Sequence, residues 1–166
     1  MNISRFLNED LIVLEFNPIQ EPPPENSDSL KWKERNKEQI LYDLVTVLER
    51  SDKTVNRCKL LTDFINRERK ATTGIGFGVA VPHVRSMQAK DFVIGVARSV
   101  DGLEFDSLDN EPVHLFFVMA APPYEDNLYL KVFKQLAENL QHEYFRDKLM
   151  AAEQPYEIIR SFKEMD

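Results

Sequence analysis

Apolar residues recur at helical spacing in the first half of the chain, with Lys and Glu filling the opposite face. A first amphipathic helix is predicted over residues 31–50. Its inward positions are Ile40, Leu41, Leu44, Val45 and Leu48. A second helix is predicted from an N-cap at Asn56 to about Lys70.

Short runs of β-forming residues predict strands at 11–16, 79–81, 92–98 and 113–120. The last run is continuously apolar, which is typical of a central strand covered on both faces. Three helices are predicted after it: 126–142 with Asp126 as its cap, 143–151, and one that begins at Pro155. The order β, α, α, β, β, β, α, α, α predicts one mixed α/β domain over residues 1–166, with helices flanking a mixed sheet.

The segment at about 17–30 differs in composition from the rest, with three successive prolines and several acids. Prolines cannot donate to a strand ladder, so the segment is predicted to be a mobile loop. A linker between two domains is less consistent with the pattern, because only one strand precedes it.

Composition excludes several classes of function. The formal net charge is −7 and no basic stripe is visible, which argues against nucleic acid and anionic lipid as partners. The N-terminus does not read as a signal peptide, and the apolar runs are too short to span a bilayer, so we expect a cytoplasmic protein without membrane insertion. The one cysteine, Cys58, is expected in the core of the second helix, and no His/Cys spacing predicts a metal site.

Three of the five glycines, Gly74, Gly76 and Gly78, lie shortly before a Pro82-His83-Val84-Arg85 segment. Glycines let backbone N–H groups approach an anion, so they are candidates to cradle a phosphate. Neither a Walker nor a Rossmann pattern is present, and the glycine run alone does not identify a ligand.

His83 suits phosphoryl chemistry, because a neutral imidazole nitrogen is a competent nucleophile near neutral pH. A bound phosphoryl group needs cations beside it. Arg85 lies two residues further on and would share the face of His83 along a strand, and Arg67 ends the preceding helix. The residues leave open a purely structural histidine that bonds the backbone.

The pattern G-I-G-x-G-x-A-x-P-H-x-R over residues 74–85 resembles the active-site signature of EIIA domains of the phosphoenolpyruvate-dependent phosphotransferase system, of the mannitol/fructose/nitrogen type. The Arg67-Glu68 pair resembles one found upstream of that signature. The similarity continues through Leu103–Asp106, Pro112–Leu115, Ala121-Pro122, Leu130–Leu140 and Tyr156–Ile159.

The resemblance implies a single domain of the mannitol-type EIIA kind, in which His83 accepts a phosphoryl group from HPr or a nitrogen-branch HPr-like carrier, with Arg67 beside it. It further implies delivery to an EIIB domain or action on a regulatory target protein, without metal or organic cofactor. One departure is clear: the family's second active-site histidine corresponds here to Tyr129, whose hydroxyl can still donate a hydrogen bond.

Three functions are compatible with these residues. A nitrogen-type regulatory branch is favoured, since no EIIB-like, HPr-like or membrane segment is attached in this sequence. A sugar-specific EIIA that serves separate EIIB and membrane components is the near alternative, and a non-phosphorylated binding module is the third. Phe77 and Met87 are expected either to form an apolar collar for a partner or to pack in the core. His114 is expected to be structural, and His142 is expected to be a solvated histidine near a helix end.

Overall fold

The chain forms a six-stranded mixed sheet with helices on both faces, in a computed structural model that describes residues 1–25, 29–125 and 127–166. Two short 3-10 helices, Ile3–Phe6 and Glu9–Leu11, precede the first strand. The strands are β1 (Ile12–Val13), β2 (Gly74–Gly76), β3 (Val79–Ala80), β4 (His83–Arg85), β5 (Val93–Leu103) and β6 (Val113–Ala121). The helices are α1 (Ser29–Leu48), α2 (Arg57–Lys70), α3 (Leu128–Asn139), α4 (Glu143–Ala151) and α5 (Pro155–Met165).

The sheet is built around β6, in the order β1-β5-β6-β3-β2, and β4 also pairs with β6 beyond the end of β3. The long β5–β6 pair is antiparallel, while β1 runs parallel to β5, and β3 and β4 run parallel to β6. The mixed sheet flanked by helices in a single domain confirms the predicted fold class.

Side chains of β6 alternate between two separate cores. Leu115, Phe117 and Met119 pack with α3, α4 and α5 on one face. Phe116, Val118 and Ala120 pack with α1 and α2 on the other. Because both faces of β6 are covered, the residues that point to either face are apolar, which explains the continuous apolar run in the sequence.

The shortest strands differ from the prediction. Only Ile12–Val13 of the predicted strand 11–16 pairs in the sheet, and His83 opens its own strand rather than following the end of another. Strands of two or three residues are too short to show an alternating pattern, so periodicity could not find β2 or β4. The predicted cap Asp126 lies outside the described residues, and α3 ends at Asn139 rather than at 142.

The first part of the proline-containing segment is tied to α1. The side chain of Asn36 accepts a hydrogen bond from the Glu21 N–H at 2.8 Å and donates to the Glu21 carbonyl at 3.0 Å. The Trp32 indole N–H donates to the same carbonyl. The Gln20 side-chain amide also donates to the Asn36 carbonyl at 3.2 Å. Residues 20 and 21 of the predicted mobile loop are therefore held on the helix, while residues 26–28 lie outside the described part of the chain.

Candidate functional site

His83 stands at the first position of β4, opposite Met119 of β6, and is only 9% exposed. Its Nδ1 lies 2.6 Å from the carbonyl oxygen of Val81. A carbonyl oxygen can only accept, so we assign the proton to Nδ1, which donates. The lone pair of the neutral ring is then on Nε2.

Arg67 faces this lone pair from the last turn of α2. Its Nη2 lies 3.5 Å from Nε2 of His83, and its Nη1 donates to the Ala71 carbonyl at 3.0 Å. The bond to Ala71 fixes the guanidinium plane without neutralising the charge. A cation is thus held beside the atom that has nucleophilic character.

The environment of His83 favours its neutral form. Burial lowers the pKa of His83 below its ordinary value of 6.5, and the Arg67 cation lowers it further. The hydrogen bond to Val81 and the nearby Glu68 carboxylate act in the opposite direction. The result is an imidazole that keeps its nucleophilic lone pair at neutral pH.

Two aromatic rings of α3, one helical turn apart, form the other wall. The ring centres of Tyr129 and Phe133 lie 5.4 Å and 4.9 Å from that of His83. The Arg85 guanidinium lies 5.1 Å from the centre of the Tyr129 ring. The structure therefore brings Arg67, Arg85 and Tyr129 together at His83, as the sequence predicts.

Phe133 completes this wall, and the sequence analysis did not single it out as a site residue. Its spacing of four residues from Tyr129 is the signal that would have found it. Burial raises the pKa of the Tyr129 hydroxyl, while the Arg85 and Arg67 cations lower it. Because burial is the larger effect, the hydroxyl keeps its proton and remains a hydrogen-bond donor at neutral pH.

An open groove of about 840 Å³ runs beside this cluster, between α2 and the segment that follows β4. Four cations and one acid line it, which contrasts with the net charge of −7 for the whole chain. These charged residues are Lys59, Arg67, Lys70, Arg85 and Asp63. Such an excess of cations suits an anionic group near His83.

Cys58 and Met87 also line the groove. The prediction of a core position for Cys58 is wrong: the residue is exposed, because α2 buries the face that carries Leu60, Phe64 and Glu68 instead. Met87 is 78% exposed at the rim of the groove, so the prediction of a core position does not apply to it.

The three glycines before His83 do not lie beside it in the structure. Gly76 and Gly78 have φ angles of 99° and 74° and form the turn between β2 and β3, where such angles are needed. Val79 pairs with Leu115 of β6, whereas His83 pairs with Met119. Four residues along a strand correspond to about 13 Å, so this turn lies away from His83.

Gly74 and Phe77 have other surroundings as well. A Cβ atom on Gly74 would lie 2.9 Å from the Cα of Ser107, so close packing accounts for this glycine. Phe77 is exposed at the tip of the turn, with the Arg146 guanidinium 4.8 Å from its ring centre. The proposed cradle of glycines and the Phe77 part of the collar are therefore not features of the His83 site.

A buried ion pair anchors the chain just after α2. The Glu68 carboxylate accepts from the N–H and the hydroxyl of Thr73 at 2.7 and 2.6 Å, and the Lys37 ammonium lies 3.0 Å from it. Lys37 was not indicated by the sequence, since the contact joins α1 to α2 across 31 positions. The pair fixes the end of α2, where Arg67 stands.

Among the described residues, no group of three or more His, Cys, Asp or Glu side chains is arranged to hold a metal ion. Within the same residues, no helix has the length and apolar character needed to cross a membrane.

The chain is similar to a known protein family and to several proteins. The family model "Phosphoenolpyruvate-dependent sugar phosphotransferase system, EIIA 2" matches residues 26–165. The chain is 34% identical over 137 residues to the PTS system fructose-specific EIIABC component of Bacillus subtilis, covering 82% of this chain and only 22% of that protein. It is 31% identical over 140 residues to the PTS system fructose-specific EIIA component of Haloferax volcanii, covering 84% of each.

A solved structure of nitrogen regulatory protein IIA-Ntr from Neisseria meningitidis has the same fold. It superposes with a TM-score of 0.80 at 24% identity and covers 96% of this chain and 98% of the other. At this level of identity the similarity shows the fold alone. The family of the chain is shown by the family model and by the sequence relatives.

Proposed function

Because the chain belongs to the EIIA 2 family of the phosphoenolpyruvate-dependent sugar phosphotransferase system, we propose that it carries the phosphoryl group on Nε2 of His83. Domains of this family act in phosphoryl transfer between proteins. The observation that supports the proposal is the hydrogen bond from Nδ1 to the Val81 carbonyl, which leaves the lone pair of Nε2 facing Arg67.

The step is a displacement at phosphorus. The lone pair of Nε2 attacks the phosphorus of a phosphohistidine on the donor protein, and the donor N–P bond breaks as the new N–P bond forms. The electron pair of the broken bond stays on the donor imidazole, while the proton of His83 stays on Nδ1, hydrogen-bonded to the Val81 carbonyl oxygen. Such transfers depend mainly on alignment and on stabilisation of the charge on the phosphoryl oxygens.

Three side chains supply this stabilisation in the proposed site. Arg67 is close enough to Nε2 to contact a phosphoryl oxygen placed there. Arg85 lies over the Tyr129 ring at the same side of the groove, and its cation adds to the positive field. The Tyr129 hydroxyl supplies a neutral donor at the position where the family has a histidine.

EIIA domains pair with HPr-like phosphocarriers and with EIIB domains. We propose that both classes of partner approach through the groove mouth. Met87 at 78%, Tyr124 at 79% and Leu130 at 53% are exposed there, each in the groove lining or next to a lining residue in sequence. Exposed apolar residues around a charged site suit a transient protein contact. A cytoplasmic location is part of this proposal.

The destination of the phosphoryl group has two candidates. The nitrogen-type regulatory branch is supported by 28% identity over 127 residues to the nitrogen regulatory protein of Pseudomonas aeruginosa, and a sugar branch is supported by the fructose-specific relatives at 34% and 31% identity. Incubation of the phosphorylated protein with EIIB domains of the same organism separates them. Transfer to an EIIB cysteine or histidine supports the sugar branch, and retention of the group on this chain supports regulation.

The carrier function is tested by intact-mass measurement at alkaline pH, where phosphohistidine survives. The protein is incubated with phosphoenolpyruvate, Enzyme I and an HPr-like carrier, beside His83→Ala and the matched control His142→Ala, which changes an exposed histidine at the start of α4. We expect one acid-labile phosphoryl group in the wild type and in the control, and none in His83→Ala. Absence of the group from the wild type, while the same carrier phosphorylates another EIIA, leaves only the non-phosphorylated binding module.

A further inference from the structure

Sheet hydrogen bonds hold the segment that carries His83 along only one of its two edges. β4 has three residues and pairs with β6. Within the described part of the chain, no strand pairs with its other edge, and helix α2 also contacts β4. The distance between Arg67 on α2 and His83 on β4 therefore depends on what joins these two elements.

Asp63 and Ser86 join them directly. The Ser86 hydroxyl donates to Oδ2 of Asp63 at 2.5 Å. A hydroxyl bound to a carboxylate at this separation is a strong, charge-assisted hydrogen bond. Asp63 precedes Arg67 by four residues, so both side chains project from the same face of α2. Ser86 follows His83 by three residues and immediately follows the end of β4.

Ser86 is itself fixed on all sides. It is 3% exposed, and its N–H donates to the Ala121 carbonyl at the end of β6 at 2.9 Å. Its hydroxyl oxygen also accepts from the Gln88 N–H at 3.0 Å. The hydroxyl thus connects the sheet, the turn after β4 and helix α2 in one place.

We propose that Asp63 and Ser86 are a positioning pair that sets the separation between Arg67 and His83 for phosphoryl transfer, an inference that rests on the proposed phosphorylation of His83. The pair touches neither the phosphoryl group nor Nε2. It acts by holding α2 in register with β4, one helical turn away from the Arg67–His83 contact. Misplacement of about 1 Å at a reacting centre is enough to slow transfer strongly.

Four variants test the pair. Ser86→Ala and Asp63→Ala remove the hydrogen bond, whereas Ser86→Thr keeps the hydroxyl and Asp63→Asn keeps an acceptor oxygen without the charge. The matched control is Ser161→Ala, which removes a buried hydroxyl that donates to the Glu157 carbonyl on α5, away from the site. Urea denaturation first establishes which variants are folded.

Two donors separate positioning from docking. The concentration dependence of transfer from the phosphorylated HPr-like carrier gives an affinity and a maximal rate, and phosphoramidate phosphorylates histidine without any docking. We expect the two alanine variants to lose about tenfold in maximal rate and a similar factor with phosphoramidate, at unchanged affinity. Ser86→Thr, Asp63→Asn and the Ser161→Ala control are expected to remain within about twofold of the wild type.

A third readout is independent of phosphorylation. In an NMR titration of the unphosphorylated protein, the His83 pKa is expected to rise in the alanine variants, because a displaced Arg67 cation no longer lowers it as strongly. A folded Ser86→Ala with unchanged maximal rate and unchanged titration overturns the proposal, and so does a loss confined to affinity. If Ser86→Ala does not fold, the two Asp63 variants decide. If neither donor phosphorylates the wild type, the proposed function fails, and the titration still decides whether the pair positions Arg67.

Discussion

Nδ1 of His83 lies 2.6 Å from the carbonyl oxygen of Val81, two residues before it in the chain. This contact fixes both the ring orientation and the tautomer, so Nε2 is the nitrogen available to phosphorus. We therefore expect the phosphoryl group on Nε2 alone. Nitrogen-15 and phosphorus-31 NMR spectra of the phosphorylated protein distinguish the two ring positions, and a spectrum of phosphorylated Nδ1 would contradict the assigned tautomer.

The pH dependence follows from the lowered pKa of His83. Burial and the Arg67 cation favour the neutral ring, so the NMR titration midpoint of His83 is expected below 6.5. The initial rate of phosphorylation by phosphoramidate should fall only as the pH drops through that lower midpoint. A titration midpoint at or above 6.5 would contradict this effect of the surroundings of His83.

The same shift has a consequence for stability. Near neutral pH the folded state binds fewer protons at His83 than the unfolded chain does, so the stability linked to this group is present above 6.5. It is lost as the pH falls from 6.5 through the lower folded-state pKa. The unfolding free energy of His83→Gln should therefore depend less on pH in that interval than that of the wild type, and parallel curves would contradict the assignment.

Tyr129 is expected to contribute through its hydroxyl. Tyr129→Phe keeps the ring beside His83 and under Arg85 but removes the donor, so the transfer rate should fall about tenfold, which corresponds to about 1.4 kcal/mol of activation free energy.

Tyr129→His restores the family's residue and introduces a second titrating ring. Its rate profile should acquire an additional pH dependence near the pKa of that ring, which the wild type lacks because its hydroxyl stays protonated.

Rates are measured by single-turnover transfer from the phosphorylated carrier, with Tyr144→Phe as the control for loss of an exposed hydroxyl elsewhere. Equal rates for Tyr129→Phe and the wild type would show that the hydroxyl does not reach the phosphoryl group.

The sequence predicted those parts of the fold that repeat over many residues. The i, i+4 pattern predicted α1 and α2 to within about two residues, and the apolar run at 113–120 identified β6 as the central strand. Strand spacing and the resemblance to EIIA domains predicted His83, Arg67, Arg85 and Tyr129 as candidate site residues, and the structure places these side chains near one another. Asn56 caps α2 as predicted, since its side chain accepts from the Lys59 N–H.

The remaining features depend on contacts that no local pattern records. The Asp63–Ser86 and Lys37–Glu68 contacts join positions 23 and 31 residues apart, and nothing in either segment indicates its partner. The role of the glycines was misjudged for a related reason. The sequence does not distinguish a glycine that provides a positive φ from one that lets the backbone approach an anion. The pairing of β3 with β6 distinguishes them, because it places the glycine turn away from His83.

The turn between β2 and β3 offers a test of that correction. Gly76 has a φ of 99°, which a side chain disfavours, so Gly76→Ala should cost about 1–2 kcal/mol in the free energy of unfolding. Because the turn lies away from His83, the phosphorylation rate of the folded variant should equal that of the wild type. A reduced phosphorylation rate in a folded Gly76→Ala variant would indicate that the glycines do contribute to the His83 site. Phe77→Gly, which relieves rather than adds strain at the neighbouring position, is the control for altered loop sequence.

Arg98 of β5 is expected to be the most sensitive charged position for stability outside the site. It is 8% exposed, and its guanidinium donates to the carbonyl of Leu14 at 3.2 Å and to those of Leu149 and Ala152 at the end of α4 at 3.0 and 2.6 Å. One side chain thus satisfies backbone acceptors from the N-terminal segment and from a helix C-terminus, where a cation is also favoured by the helix dipole.

Arg98→Met keeps an unbranched apolar stem but removes the guanidinium, which leaves these carbonyls without their donor. We expect a loss of about 2–4 kcal/mol in the free energy of unfolding, measured by urea denaturation. Arg160→Met is the matched control, since Arg160 is exposed and lies 3.9 Å from its carboxylate partner, and its effect should stay within about 0.5 kcal/mol. Equal stabilities of the two variants would mean that water or neighbouring groups replace the Arg98 hydrogen bonds without cost.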